Sequence, residues 1–361
     1  MSANTAAAIG LLGWCRQGFE PELAAEYQSK AAELGVAGYA KAQRDSGYVE
    51  FLCEDAAALS RQLGTNSLIF ARQSIAMLAS VPNLPREDRI TPILDVLRGM
   101  DLSGFGSVAV EYSDADSGRE FAGLARSLGN ALRAALRKHG FMSGKDRPHL
   151  PCLHLLLTGA ESGILGVSDF SQRPAFPMGI PRLRMNAQAP SRSALKLEEA
   201  LLTLLTEAER EKWLRDGMRA CDLGAAPGGW TWVLMRHGLL VTAIDNGPLR
   251  EQLLENGRVE HLRADGFRWS PKFPLEWMVC DMVEQPARVA QRMGEWFAND
   301  WCRRSIFNLK LPMKKRYAEV EHCLQRFTEA AGMPLDIRVK QLYHDREEIT
   351  VYAGLISRKD R

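Results

Sequence analysis

The chain has 361 residues, 46% of them hydrophobic and 25% charged, with a net charge of +2. Such a length and composition suit a soluble protein of two or three domains, each able to bury a core of its own. No apolar run approaches the roughly 20 residues that cross a bilayer, so no membrane partner is expected, and the first residues lack the basic start of a secretory signal. The seven cysteines and seven histidines are scattered and form no C-x-x-C pair, which argues against a disulfide framework or a metal site and for a reducing cytoplasm.

The first half reads as α+β. Residues 35–55, "GVAGYAKAQRDSGYVEFLCED", alternate apolar and polar positions around turn residues, and residues 67–78, "SLIFARQSIAML", read as another strand. "GSVAVEY" (106–112) is a strand that leads into a long amphipathic helix. On it Leu124, Leu128, Leu132 and Leu136 recur every four residues, with Arg126, Arg133 and Arg137 on another face. "CLHLLLTGAESGILGVSD" (152–169) reads as a hairpin. Residues 1–85 and 86–172 are expected as two subdomains. A linker is expected over 173–190, inside the proline-, arginine- and serine-rich segment Phe170–Ser193. From Arg133 to Lys196 the chain carries ten Lys and Arg against three acids, a local basic excess of the kind that meets a phosphate backbone.

Beyond residue 190 short apolar strands alternate with helices, the pattern of a mainly parallel sheet covered on both faces. A domain is expected over 191–361, with its last two strands joined by a tight turn and antiparallel. The first strand of this region runs into "DLGAAPGGW", where Gly224, Gly228 and Gly229 open a helix and Ala226 and Pro227 lie between them. Ala226 breaks the dinucleotide pattern G-x-G-x-x-G, and Trp230 and Thr231 replace the Lys-Ser/Thr of a phosphate loop. About 20 residues on, Asp245 ends the next strand, where a carboxylate suits ribose hydroxyls; Asp265 ends the third, within reach of an adenine amino group. A glycine loop, a ribose acid and an adenine acid without a phosphate-binding element describe a site for S-adenosylmethionine. Ser193 is a further candidate for contact with that cofactor, or else a helix N-cap. Trp230 and Trp232 read as packing residues.

Asp281 ends the fourth strand, in "MVCDMVEQP", and Lys310 ends the fifth, in "SIFNLKLPMKKR". The Asn/Asp-Pro-Pro-Tyr/Phe pattern of adenine methyltransferases and the Pro-Cys of cytosine C5 methyltransferases are both missing. Lys196 lies in "SRSALKLEE", ahead of the first strand, and Glu347 and Glu348 in "REEITVYAG" open the last. In order and context Lys196, Asp281, Lys310 and Glu348 resemble the K-D-K-E set of the FtsJ-like ribose 2′-O-methyltransferases, over about half the chain. Glu348 is preferred to Glu347 because the alternating "EITVYAG" follows it in the family's phase.

This resemblance implies an α/β, Rossmann-like S-adenosylmethionine-dependent methyltransferase domain. Residues 107–140 with the hairpin at 153–169 resemble a THUMP module, which implies an α+β RNA-binding region ahead of it, and a ferredoxin-like subdomain is expected before that. The whole chain resembles one group within the family, and that resemblance implies one cytidine of 23S rRNA as the target, reached before full subunit assembly, by a monomeric enzyme. The chemistry suits the set: Asp281 would orient Lys310 near the methyl donor, and Lys196 and Glu348 would position the ribose. Lys310 is the expected general base, and a lysine acts so only as the free amine. Desolvation and the neighbouring cation Lys196 favour that form, and Asp281 opposes it. The competing readings are an RNA base methyltransferase and an RNA-binding protein with an inactive methyltransferase fold.

Overall fold

The computed structural model describes residues 7–356. The chain forms two compact units that meet in sequence between Ile180 and Pro181.

The first unit holds a seven-stranded sheet. Its strands are β1 (Gly10–Trp14), β2 (Gly38–Ala42), β3 (Tyr48–Cys53), β4 (Gln73–Val81), β5 (Ser107–Tyr112), β6 (Cys152–Gly159) and β7 (Ser162–Ser168), in the order β2-β3-β1-β4-β7-β6-β5. All neighbours are antiparallel except β5 and β6. The pairing of β4 with β7 carries one sheet across the stretches 1–85 and 86–172. The helix Ala122–Lys138 follows its leucine repeat: Leu128, Leu132 and Leu136 are buried.

Two local expectations change. The strand read at 67–78 begins only at Gln73, because Glu26 is buried and its Oε2 takes the Phe70 N–H at 2.9 Å in place of a neighbouring strand. The stretch read as a linker is partly seated: Met178 and Ile180 are buried, and the Met178 N–H reaches Glu111 Oε1 at 3.3 Å.

The second unit holds a sheet in the order β10-β9-β8-β11-β12-β14-β13. Its strands are β8 (Arg219–Leu223), β9 (Leu240–Ile244), β10 (Val259–Leu262), β11 (Leu275–Cys280), β12 (Cys302–Lys310), β13 (Leu335–Lys340) and β14 (Glu348–Leu355). The five strands β10 to β12 run parallel, while β14 is antiparallel to both β12 and β13. Central strands such as β11 are apolar and buried nearly throughout, as a sheet covered on both faces requires. The expected antiparallel last pair is present, but its connection is not a tight turn. It spans Gln341–Glu347 and is tied down by Glu199, which accepts the N–H groups of Tyr343 at 2.7 Å and His344 at 2.8 Å. Among the described residues no helix is long and apolar enough to cross a membrane.

Candidate active site

The loop Gly224–Gly229 leaves β8 and opens the helix Gly229–Arg236. Gly228 stands before that helix at φ 109°, a conformation closed to side-chain-bearing residues, and a Cβ there would lie 2.2 Å from Leu253 Cδ1. The Ala226–Pro227 peptide is cis. Asp245, just past β9, takes the Ala226 N–H on Oδ2 at 2.9 Å and the Gly247 N–H on Oδ1 at 2.7 Å. A carboxylate offers about four acceptor positions, so Asp245 braces the loop and keeps acceptors for two hydroxyl donors. Asp265 is exposed beyond β10, and its Oδ1 takes the Phe267 N–H at 2.9 Å.

Ser193 stands at the N-cap position of its helix but makes no side-chain capping bond, and its Oγ lies 2.6 Å from Ser191 Oγ. Both hydroxyls lie against Gly229. Trp230 and Trp232 are buried packing residues, and Trp230 Nε1 donates to the Ser193 carbonyl at 3.0 Å.

Beneath the loop sits Asp222, buried, with Thr231 Oγ1 donating to its Oδ2 at 2.7 Å. Burial pushes its carboxyl up to about 7, against the Thr231 bonds. These residues fit S-adenosylmethionine. The loop offers backbone and one bracing acid, and it has no Lys or Arg to bind phosphate.

The four polar residues of the suggested set come together. Lys196 is in the first turn of the helix Ala194–Leu204, Asp281 follows β11, Lys310 ends β12 and Glu348 opens β14. Asp281 bridges the two lysines, Oδ2 to Lys196 Nζ and Oδ1 to Lys310 Nζ, each at 3.2 Å. Glu348 bridges them again, Oε1 to Lys196 and Oε2 to Lys310. Burial by itself would lower the Lys196 ammonium, but Asp281 and Glu348 outweigh it and hold it above its ordinary value. Lys310 and Glu348 face each other directly across the β12–β14 ladder. Lys310 is the most open of the four side chains at 30% exposure, and Glu348 the most enclosed at 4%. Glu347 lies elsewhere, paired with Arg316 at 2.9 Å and exposed. The quartet adjoins the glycine loop through Met282, whose side chain packs on Gly224.

Reading the sequence did not single out Asn308, Val283 or Met313. Asn308 Nδ2 donates to Asp281 Oδ1 at 3.0 Å. A polar residue two positions before Lys310 in an apolar strand was the available signal, since such residues share a face. Among the described residues, the two most exposed large apolar side chains are Val283 (86%) and Met313 (92%). They stand on the loops after Asp281 and Lys310, and Met313 precedes the exposed Lys314 and Lys315.

Residues 9–75 match the RlmM ferredoxin-like domain, 88–169 the N-terminal region of ribosomal RNA large subunit methyltransferase M, and 189–296 the FtsJ-like methyltransferase family. A ribosomal RNA large subunit methyltransferase M from Stenotrophomonas maltophilia (strain R551-3) is 58% identical over 98% of this chain and 99% of its own length. The chain belongs to the ribosomal RNA large subunit methyltransferase M family. A second member, from Xanthomonas campestris pv. campestris (strain B100), is 58% identical over 95% of this chain and 99% of its own. The family's FtsJ-like segment covers the glycine loop, Asp245, Asp265, Lys196 and Asp281, and it ends before Lys310 and Glu348.

Proposed function

We propose that this chain transfers a methyl group from S-adenosylmethionine to the 2′-oxygen of a ribose in RNA, a cytidine of 23S rRNA, with Lys310 as the general base. The observation that carries this reading is the doubly bridged quartet Lys196–Asp281–Lys310–Glu348, joined through Met282 to a glycine loop braced by Asp245.

S-adenosylmethionine, when bound, supplies a methyl group already activated on a sulfonium. Gly224, Ala226, Pro227, Gly228, Gly229 and Ser193 would hold it by close backbone approach, Asp245 by its ribose and Asp265 by its adenine. The chain's remaining task is to align the 2′-hydroxyl and remove its proton as attack proceeds. Lys310 Nζ, as the free amine, accepts that proton. The ammonium so formed lies between Asp281 Oδ1 and Glu348 Oε2, so both carboxylates favour the charge that grows in the transition state. Lys196 holds the opposite oxygens of the two acids and keeps them aimed at Lys310. Val283, on the loop after Asp281, and Met313, Lys314 and Lys315, on the loop after Lys310, are exposed and would offer apolar contact to a base and cations to its phosphates.

The first unit would capture RNA, with 1–85 as a ferredoxin-like subdomain and 86–172 as a THUMP-like one, joined by a linker over 173–190 to the methyltransferase domain at 191–361. The enzyme would act in the cytoplasm as a monomer, on RNA before full subunit assembly. A base methyltransferase is disfavoured because Met282-Val283-Glu284 follows Asp281 where Pro-Pro-Tyr/Phe is needed. An inactive fold is disfavoured because all four members of the quartet are present and in contact.

Lys310→Ala should lower methyl transfer from tritiated donor to unmodified large-subunit RNA by at least about a hundredfold, with cofactor affinity nearly unchanged. Equal rates for mutant and wild type would remove Lys310 from its role, and label found on a base instead of a ribose would replace the reaction.

A further inference from the structure

The β12–β14 ladder sets Asn308 opposite Thr350, two residues along from the Lys310–Glu348 pair. All four side chains therefore share one face of the sheet. Asn308 Nδ2 donates to Asp281 Oδ1 at 3.0 Å. This turns its Oδ1 toward Thr350, whose Oγ1 is 2.7 Å away. The same Oγ1 lies 3.0 Å from Asp345 Oδ2, which also accepts the Leu342 N–H at 2.9 Å. Asn308, Thr350 and Asp345 are all fully buried.

A threonine hydroxyl has one proton, and here it lies between two acceptor oxygens. Given to Asn308, it leaves Oγ1 against a carboxylate oxygen of Asp345. Given to Asp345, it leaves Oγ1 against the amide oxygen at the shorter distance. Reversing the Asn308 amide moves the conflict to Asp281, setting the amide oxygen against Oδ1, an oxygen that already accepts from Lys310 Nζ. One additional proton, on Asp345 Oδ2, gives each of these three contacts a donor: the acid donates to Thr350, Thr350 to Asn308 and Asn308 to Asp281.

We propose that Asp345 is a neutral carboxylic acid in the folded protein, and that the chain Asp345–Thr350–Asn308–Asp281 fixes Asp281 with Oδ1 toward Lys310 and Oδ2 toward Lys196. The positioning role rests on the reading of Asp281 and Lys310 given above; the protonation does not. The surroundings agree with it. Burial raises the Asp345 carboxyl well above the usual range and Glu348 adds to this; the Leu342 N–H opposes it, Glu199 raises it further and Lys196 again opposes. Asp345, Thr350 and Asn308 are positioning residues: they act through Asp281 and need not touch substrate.

Two measurements on the full chain test this. The first is the infrared difference spectrum between wild type and Asp345→Asn at neutral pH, with carboxyl-labelled aspartate to mark the band. A protonated-carboxyl band lost in the variant is expected, and a carboxylate band in its place overturns the proposal whatever the chain methylates. The second keeps the side-chain shape and removes the hydroxyl. In Thr350→Val, kcat should fall about ten- to a hundredfold, while the KM for RNA and the Kd for S-adenosylmethionine stay within about twofold. Thr350→Ser, which restores the hydroxyl, should recover most of the loss. An unchanged kcat in Thr350→Val, or a loss that Thr350→Ser fails to recover, overturns the positioning role even where the band is present.

Discussion

At the scale of single residues, the acids of the site have unlike surroundings. Asp281 and Glu348 are each shared by two lysines, whereas Asp222 is buried with one hydroxyl donor, and burial pushes it up to about 7. An ordinary aspartate titrates near 3.9. Between about pH 4 and 7 the folded chain therefore binds more protons at Asp222 than the unfolded chain does, so this residue makes stability fall as pH rises through that window. Asp222→Asn keeps an acceptor for Thr231 and cannot ionise. Its Tm should decline less steeply than that of wild type over the same window when both are followed by calorimetry; parallel curves would mean that Asp222 titrates normally. The sequence marked Asp222 only as an acid ahead of the loop. Its burial depends on the strands beside it, and no local pattern reports that.

At the scale of elements, two helices meet at the glycine loop. A Cβ on Gly229 would lie 2.2 Å from Ser193 Oγ, 2.4 Å from Ser191 Oγ and 3.1 Å from Ala194 N. The hydroxyls can turn aside, but Ala194 is backbone, and it starts the helix that carries Lys196. Gly229→Ala should therefore shift that helix, weaken S-adenosylmethionine binding about tenfold and lower kcat as well, with little change in circular dichroism. Wild-type affinity by calorimetric titration would show that the contact yields without consequence. The same helix is also held by Glu199, which takes two backbone N–H groups from the β13–β14 connection and lies 2.6 Å from His344 Nδ1. Glycine spacing and strand-end acids made the loop legible, because they are short-range signals. The brace from Glu199 was not, because its partners lie some 145 residues away in the chain.

At the scale of the whole molecule, the basic stretch Arg133–Lys196 is divided between the two units, with the boundary after Ile180. Part of it is used internally: Arg133 Nη2 donates to the Val108 carbonyl at 3.3 Å, Arg137 pairs with Asp146 at 2.7 Å, and Arg173 Nη2 donates to the Leu150 carbonyl at 3.2 Å. Lys138, Lys145 and Arg147 are exposed in the first unit. A fragment of residues 1–180, which has its own sheet and core, should bind RNA without cofactor, and three phosphate contacts would give a log–log salt slope of about −2 to −3. Reversing those three charges should flatten the slope, whereas salt-independent binding would exclude this surface. The sequence by itself determined the alternation of strands and helices, the glycine loop, the acids at strand ends and the lysine on the fifth strand, because each rests on spacing within a few residues. Only the tertiary structure decided that β14 inserts between β12 and β13, that Glu348, preferred over Glu347 on the phase of its strand, stands directly across from Lys310, and that Asn308, Thr350 and Asp345 line up behind Asp281. A strand's periodicity says which of its residues share a face. Which strand lies beside it is set by packing between segments far apart in the chain.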